Sequence, residues 1–597
     1  MRLATSFINL LALLSAVSAI SLNRGGGGTD RHDHTPRAAA SQTITPPSSP
    51  LEWGDINIIH TTDAHGWLLG HQKAAFPEPN YSGDFGDFAS FVAHMHEIAI
   101  KRDVDLLLVD SGAPGCGEDA NNATRFVSQL PYDLLTIGEE ELYNYANAFD
   151  VHQNVAPVFK GRYLSSNVDI TIADKAGSPV SVPVGNRFAK FKTRKGRKIT
   201  SLGVLHDFSG SDTNITVQNV KDMVKAPWFA EAIKEEPDVF LLAGNMPVTK
   251  DNWPVVFDAI RNVHTLTPIV ILGGHAGIRD CLQLDARSMS LESGRNMETI
   301  GWLTAKLDDG KSNKNITFSR RYLDTNRVTY EYHTGLANST FDTPKGISIS
   351  SGLKDLAQKF DLSSVLGRAP NDFTINQAPY PSKTSLLTLF IEEAVPTVLA
   401  TNNTRASIPH IIIANSNLLR FDIYAGPFTR NDQLAALPSP DSFVYIPNVP
   451  FGIADPVLPA LNIAGMGIQG RREGTVDRVE RRAPGNLTLG YVTHDLCPGV
   501  GDDTPHAPLP FYPIPDFIAS SPPNVSADTL IDLVFVASIE PQVLAILNEA
   551  QKDKVYTTTD VATYSPILAN QVLGIYAEAA WNGPRLAVDF CLHIACR

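Results

Sequence analysis

Between Leu51 and about residue 330 the chain repeats one pattern: a short apolar run, then at once glycine and polar residues, then a window with apolar positions every three or four residues. The runs are Ile56-Asn57-Ile58-Ile59, Leu106-Leu107-Leu108-Val109, Val239-Phe240-Leu241-Leu242 and Ile269-Val270-Ile271-Leu272. Four-residue runs that are apolar but for Asn57 and are bounded by turn formers read as buried strands, and Phe88–Ile100, Val220–Lys234 and Trp253–Val263 read as amphipathic helices. Strands alternating with helices predict an α/β fold. A polar segment over 334–346 marks the predicted junction, and a second mixed α/β region follows to the C-terminus. Within it, Gly467–Gly485 carries Arg471-Arg472 and Arg481-Arg482 without apolar periodicity and reads as an exposed charged insertion.

The two ends change this picture. Arg2, the apolar stretch Leu3–Leu14 and the small residues Val17-Ser18-Ala19 have the layout of a secretory signal peptide over 1–19, too short to span a bilayer. Residues 20–50, with Gly25–Gly28 and a Thr/Ser/Pro-rich stretch, cannot bury a core and read as a leader. Asn-x-Ser/Thr triplets at Asn80, Asn122, Asn214, Asn315, Asn338, Asn402, Asn486 and Asn524 agree with export through a glycosylating pathway. The five cysteines leave one without an intrachain partner, and their pairing is not legible. The expected location is extracellular or cell wall, with no membrane insertion. A net charge of −14 and the lack of a basic helix face argue against a nucleic-acid partner.

Candidate chemistry lies at the strand ends. Ligands of α/β sheets bind beyond the carboxyl ends of the strands, so Asp63 and His65, Asp110-Ser111-Gly112, Gly244-Asn245 and Gly273-Gly274-His275 should converge on one crevice. Asp63-x-His65 places two metal-ligand types two residues apart.

At this level the sequence resembles the calcineurin-like metallophosphoesterases of the secreted 5'-nucleotidase type. The resemblance rests on His60-Thr61-Thr62-Asp63-Ala64-His65-Gly66, Val109-Asp110-Ser111-Gly112, Gly138 with Glu141-Leu142-Tyr143, and Gly273-Gly274-His275 with Ile278-Arg279-Asp280. It implies a layered sandwich of two mixed sheets flanked by helices over 51–333, followed by a nucleotidase C-terminal-like α/β domain over 347–597. It further implies two divalent ions that activate a water and clamp a phosphoryl group.

Position by position, the motifs depart from that scheme. Asp63, His65 and His275 match the family's ligands, but Ala113 stands where the bridging carboxylate is expected. Glu139 and Glu140 replace an asparagine ligand and an assisting histidine, and Asn245 replaces a histidine. Glu139 and Asn245 are candidate replacement ligands, so one ion or none is expected. Against this, Gly138-Glu139-Glu140-Glu141 also reads as the acidic start of a helix running to Ala148, and a carboxylate at Glu140 would repel a phosphate.

In the second half, Asn415 and Arg420 match the family's substrate-binding element, although Asn417 replaces its glycine. Ser439-Pro440-Asp441-Ser442 has no aromatic where a stacking ring is expected. Gly501-Asp502-Asp503-Thr504-Pro505-His506 is either a further nucleotide-binding element or an acidic turn. The function implied is a secreted pseudoenzyme that binds a nucleotide or other small phosphoester or serves structurally. The alternative is an active phosphoric monoester hydrolase with a rebuilt, single-metal site.

Overall fold

The computed structural model describes residues 44–115, 120–249, 251–307, 315–469, 493, 495, 497–506, 509–551 and 553–582. The expected signal peptide, most of the expected leader, and the expected dibasic insertion from residue 470 lie outside the described residues.

Each predicted strand forms, and its alternating side chains explain the layers. Ile58, Leu107 and Val109 face inward to one core with Leu241, Ala243, Val270 and Leu272, while Ile59, Leu106 and Leu108 face outward. Two six-stranded sheets therefore pack face to face. In the first, the strands run in the order Thr317–Asp324, Thr299–Lys306, Ile56–Thr61, Asp105–Asp110, Leu134–Thr136 and Tyr163–Leu164. In the second the order is Arg279–Leu282, Ser288–Ser293, Ile269–Gly273, Val239–Ala243, Lys198–Gly203 and Phe188–Lys192. Helix Phe85–Arg102 covers the outer face of the first sheet through Phe85, Phe88, Phe91 and Met95. Trp253, Val256, Phe257 and Ile260 of helix Trp253–Arg261 cover the second. Both faces of each sheet are thus buried, which is why these strands read as continuous apolar runs rather than alternating ones.

Helix boundaries follow local chemistry. Asp84 caps the first helix by accepting from Gly86 and Asp87 N–H, with Asp87 returning the bond. The expected Val220–Lys234 helix is two helices, Val220–Met223 and Pro227–Ile233, because Pro227 cannot continue a helix but starts one well.

The second half is built on a five-stranded sheet ordered Phe517–Ala519, His410–Asn415, Leu530–Val536, Ser442–Pro450 and Ala562–Leu568, with its own core around Phe390, Ile412, Phe443, Val534 and Leu573. The two halves are stitched together. Helix Pro344–Lys359 lies against Phe85–Arg102, where a Cβ on Gly86 would stand 2.3 Å from the Gly346 carbonyl oxygen. Farther along, Thr493 and residues 497–506 return to the first half: Thr493 pairs with Arg279, Asp502 with Tyr322, and Cys497 forms a disulfide with Cys281.

The Gly501–His506 element bends at Asp503-Thr504, and its charged side chains pair across the chain. Asp502 accepts from the fully buried Arg279 at 2.8 Å, Asp503 meets His333 at 2.7 Å, and His506 meets Asp324 at 2.7 Å. Its acids are spent on buried ion pairs that hold the halves together. The last residues of the leader are likewise anchored, since Ser48 N donates to the Asp503 carbonyl and Arg321 donates to Ser49 Oγ. Among the described residues no helix is long and apolar enough to cross a membrane.

Candidate functional site

The strand ends converge as expected, on backbone that is locally strained. Asp63, His65, Ala113 and His275 all have positive φ, between 48° and 77°. Left-handed backbone at a non-glycine residue costs on the order of 1–3 kcal/mol and persists where surrounding contacts over-determine it. Those contacts are present: Asp63 N donates to the Gly112 carbonyl at 3.0 Å and His65 N to the Ala113 carbonyl at 3.1 Å. Gly274 has no alternative, because a Cβ there would lie 2.2 Å from Thr62 Oγ1 and 2.8 Å from Asp63 Oδ2.

Asp63 is buried and its carboxylate accepts three hydrogen bonds. Oδ1 accepts from the Asn245 side-chain amide at 2.8 Å, while Oδ2 accepts from Thr62 Oγ1 at 2.7 Å and from His275 N at 2.8 Å. Asn245 is itself fully buried, so its amide donor is a fixed part of the floor. His65 Nε2 stands 3.8 Å from Asp63 Oδ1, and its Nδ1 lies 3.0 Å from Asn296 Oδ1. Beneath them, His60 spans Ser293 and Ser111 at 2.7 Å each, and burial lowers its pKa to about 3. Burial also raises the Asp110 carboxyl to about 7 and the Glu141 carboxyl to about 8.

The glutamates do not start a helix. Helix Tyr145–Asp150 begins later, capped by Asn144, and Glu141 folds back to accept from Gly138 N at 2.9 Å, closing a turn. That turn carries Glu139 into the crevice, where Oε2 lies 3.2 Å from His206 Nε2 and Oε1 lies 3.3 Å from His275 Nδ1. Burial works to raise the Glu139 carboxyl, but hydrogen bonds and charge from His206 and His275 outweigh it and hold it well below the usual range. Glu140 moves the other way: burial raises it, helped by Glu139 and Asp63 and opposed by His65 and Arg420.

His206 was not among the residues singled out from sequence. It follows strand Lys198–Gly203, whose Thr200 and Ser201 hide it from a search for apolar runs, although Val204-Leu205-His206-Asp207 repeats the strand-then-polar pattern. Glu139, His206 and His275 bring donor atoms within 4.8 Å of one another. Of the sequence candidates, then, Asp63, His65 and Asn245 form one group, and Glu139 and His275 form a second with His206.

The second half closes the crevice. Arg420 lines a cavity of about 190 Å³ together with Glu78, Arg295, Asn376, Asn417 and Asp422. Phe421 beside it packs on Trp67 at 4.4 Å. Asn415 turns away from this cavity's lining and caps the turn Ser416–Leu418, its Oδ1 accepting from Asn417 N at 2.8 Å. Asp441 accepts from Ser442 N and Ser538 N, so the Ser439–Ser442 segment supplies a turn cap and no ring.

The overall fold matches solved nucleotidases. The crystal structure of a 5'-nucleotidase from Candida albicans superposes with a TM-score of 0.80 at 31% identity, covering 89% of this chain and 100% of that one. The chain belongs to the 5'-nucleotidase-type metallophosphoesterase family. The family's fold recurs in a 5'-nucleotidase precursor from Thermus thermophilus, TM-score 0.55 at 14% identity over 88% of this chain and 97% of that one. Residues 372–484 and 468–544 match the family model for the NAD nucleotidase C-terminal domain. Similar full-length chains are an uncharacterized protein of Schizosaccharomyces pombe, 34% identical over 91% of this chain and 93% of its own length, and a secreted protein of Arthroderma benhamiae, 31% identical over 98% and 99%.

Proposed function

We propose that this family member is a secreted protein that binds a nucleotide or another small phosphoester and has lost two-metal hydrolysis. The observation that carries the reading is the state of Asp63. In a dinuclear centre its oxygens face cations, whereas here they accept from the Asn245 amide, the Thr62 hydroxyl and the His275 N–H. A methyl group, that of Ala113, stands where the bridging carboxylate is expected, so the residues present do not fit a pair of ions.

Magnitude supports the reading. Loss of a residue that merely orients a ligand costs about 10–100-fold, and here several ligands themselves are replaced. Phosphate monoester hydrolysis needs accelerations of up to about 10²¹-fold, which leaves little activity for a partial centre. Binding needs less: Arg420 and Arg295 offer guanidinium donors to a phosphate in a cavity that Glu78 and Asp422 also line, and Phe421 and Trp67 give apolar surface beside it. Secretion rests on the N-terminal segment and the triplets, of which Asn214, Asn315, Asn338, Asn402 and Asn524 are exposed. The division into a phosphoesterase domain over 51–333 and a C-terminal domain over 347–597 is part of the same reading.

The test is turnover and binding measured side by side on the secreted protein. With Zn²⁺, Mn²⁺ or Mg²⁺ added, AMP and p-nitrophenyl phosphate are expected to remain intact, while AMP binding by calorimetry is expected and is weakened by Arg420→Ala. Metal-dependent release of phosphate would overturn the proposal. A second reading, hydrolysis with one ion, is favoured by the Glu139, His206 and His275 group alone.

A further inference from the structure

We propose that Glu139, His206 and His275 bind one divalent transition-metal ion of the zinc class, with His206 as a ligand that the family's scheme does not supply. The inference rests on the reading that the dinuclear centre is dismantled.

The tautomer of His206 is the first support. Its Nδ1 lies 3.0 Å from the Asn245 main-chain carbonyl, which can only accept, so Nδ1 carries the hydrogen. Nε2 then faces Glu139 Oε2 at 3.2 Å, and what joins them is a cation: a proton, as in an imidazolium–carboxylate pair, or a metal ion bound through Nε2. A histidine whose other nitrogen is fixed by a backbone carbonyl is the arrangement that orients metal-ligating imidazoles.

Spacing is the second. Tetrahedral zinc with bonds of about 2.0–2.2 Å places its donor atoms about 3.3–3.6 Å apart. Glu139 stands 3.2 Å from His206 Nε2 and 3.3 Å from His275 Nδ1, and the rings of the two histidines stack with centroids 4.1 Å apart. Two imidazoles and one carboxylate suit zinc and its neighbours, whereas magnesium and calcium prefer oxygen donors throughout. His275 and Glu139 keep 23% and 17% of their side chains exposed, so one side of the group is open to the crevice and to a water or anionic ligand.

Glu139 and His275 stand at positions where the family has ligands, and His206 is the donor that the family's motifs do not contain. It comes from the segment after strand Lys198–Gly203, outside every motif block that carries the family resemblance, and Asp63 and His65 take no part in the group.

The experiment is metal content of the full-length secreted protein by mass spectrometry, after equilibration with Zn²⁺ and removal of loosely held ions, with Co²⁺ absorption as a second readout. One ion per chain is expected in the wild type and in His65→Ala, and almost none in His206→Ala or in the isosteric Glu139→Gln. If His206→Ala fails to fold, Glu139→Gln decides. No ion in the wild type would overturn this site and assign the cation to a proton. An ion lost in His65→Ala but kept in Glu139→Gln would overturn it in favour of the Asp63 and His65 position. Two ions would overturn both this proposal and the loss of the dinuclear centre. Hydrolysis by a one-ion protein would overturn the proposed function and leave the site standing.

Discussion

Replacing Asn245 with aspartate exchanges one NH₂ for one oxygen and so tests the part that Asn245 plays. In the wild type the amide donates to Asp63 Oδ1 at 2.8 Å in a fully buried position. In Asn245→Asp two carboxylates would meet at that distance, with a repulsion of about 6 kcal/mol at an effective dielectric constant of 20. The pair avoids the full cost by taking up one proton, which at pH 7 costs about 4 kcal/mol for a group that is unperturbed near 3.9 when unfolded. The smaller figure sets the expected destabilisation. Its sign with pH follows from linkage: the folded variant binds a proton that the unfolded chain does not, so its deficit shrinks as pH falls. At pH 5 about 1.5 kcal/mol should remain. Urea unfolding of both proteins in EDTA at pH 7 and pH 5 measures it. Equal stability at pH 7, or a deficit that does not shrink at pH 5, would refute the assignment of Asn245 as the hydrogen-bond donor that Asp63 Oδ1 requires.

Other consequences follow from buried groups elsewhere. Arg279→Met removes the guanidinium shared by the buried Asp324 and Asp502 and should cost about 3–5 kcal/mol in urea unfolding. Cys281→Ser opens a disulfide whose cysteines are 216 residues apart, and the chain-entropy model gives a loss of about 5 kcal/mol, matched in the wild type by adding reductant. Burial raises Glu298 to about 7, so its contribution is present at low pH and is lost as pH rises towards 7; Glu298→Gln should flatten that slope and be more stable than wild type at pH 8 by about 3 kcal/mol. Asn80 is buried, with its amide 3.3 Å from His506 Nδ1, so peptide mapping should find it without a glycan while Asn214, Asn338, Asn402 and Asn524 carry one.

The sequence by itself determined the layers. Ile58 and Ile59, or Leu241 and Leu242, point to opposite cores because a strand alternates its faces, and a run apolar at both parities must be covered on both sides. It also located Asp63, His65 and His275 at strand ends and placed Ala113 and Asn245 at positions where the family has ligands, since these readings need only local order. Tertiary structure decided how those residues are used. Whether Glu139 begins a helix or enters the crevice depends on Glu141 closing a turn on Gly138 and on two histidines 67 and 136 positions away in the chain. His206 joins them because the second sheet's strand order sets the end of Lys198–Gly203 beside that of Val239–Ala243. The acids of Gly501–His506 resemble a ligand-binding turn until Arg279 and His333 are brought to them across the chain. Charge and hydrogen-bonding type are written residue by residue, but a partner is chosen by distance, and distance is a property of the packed fold.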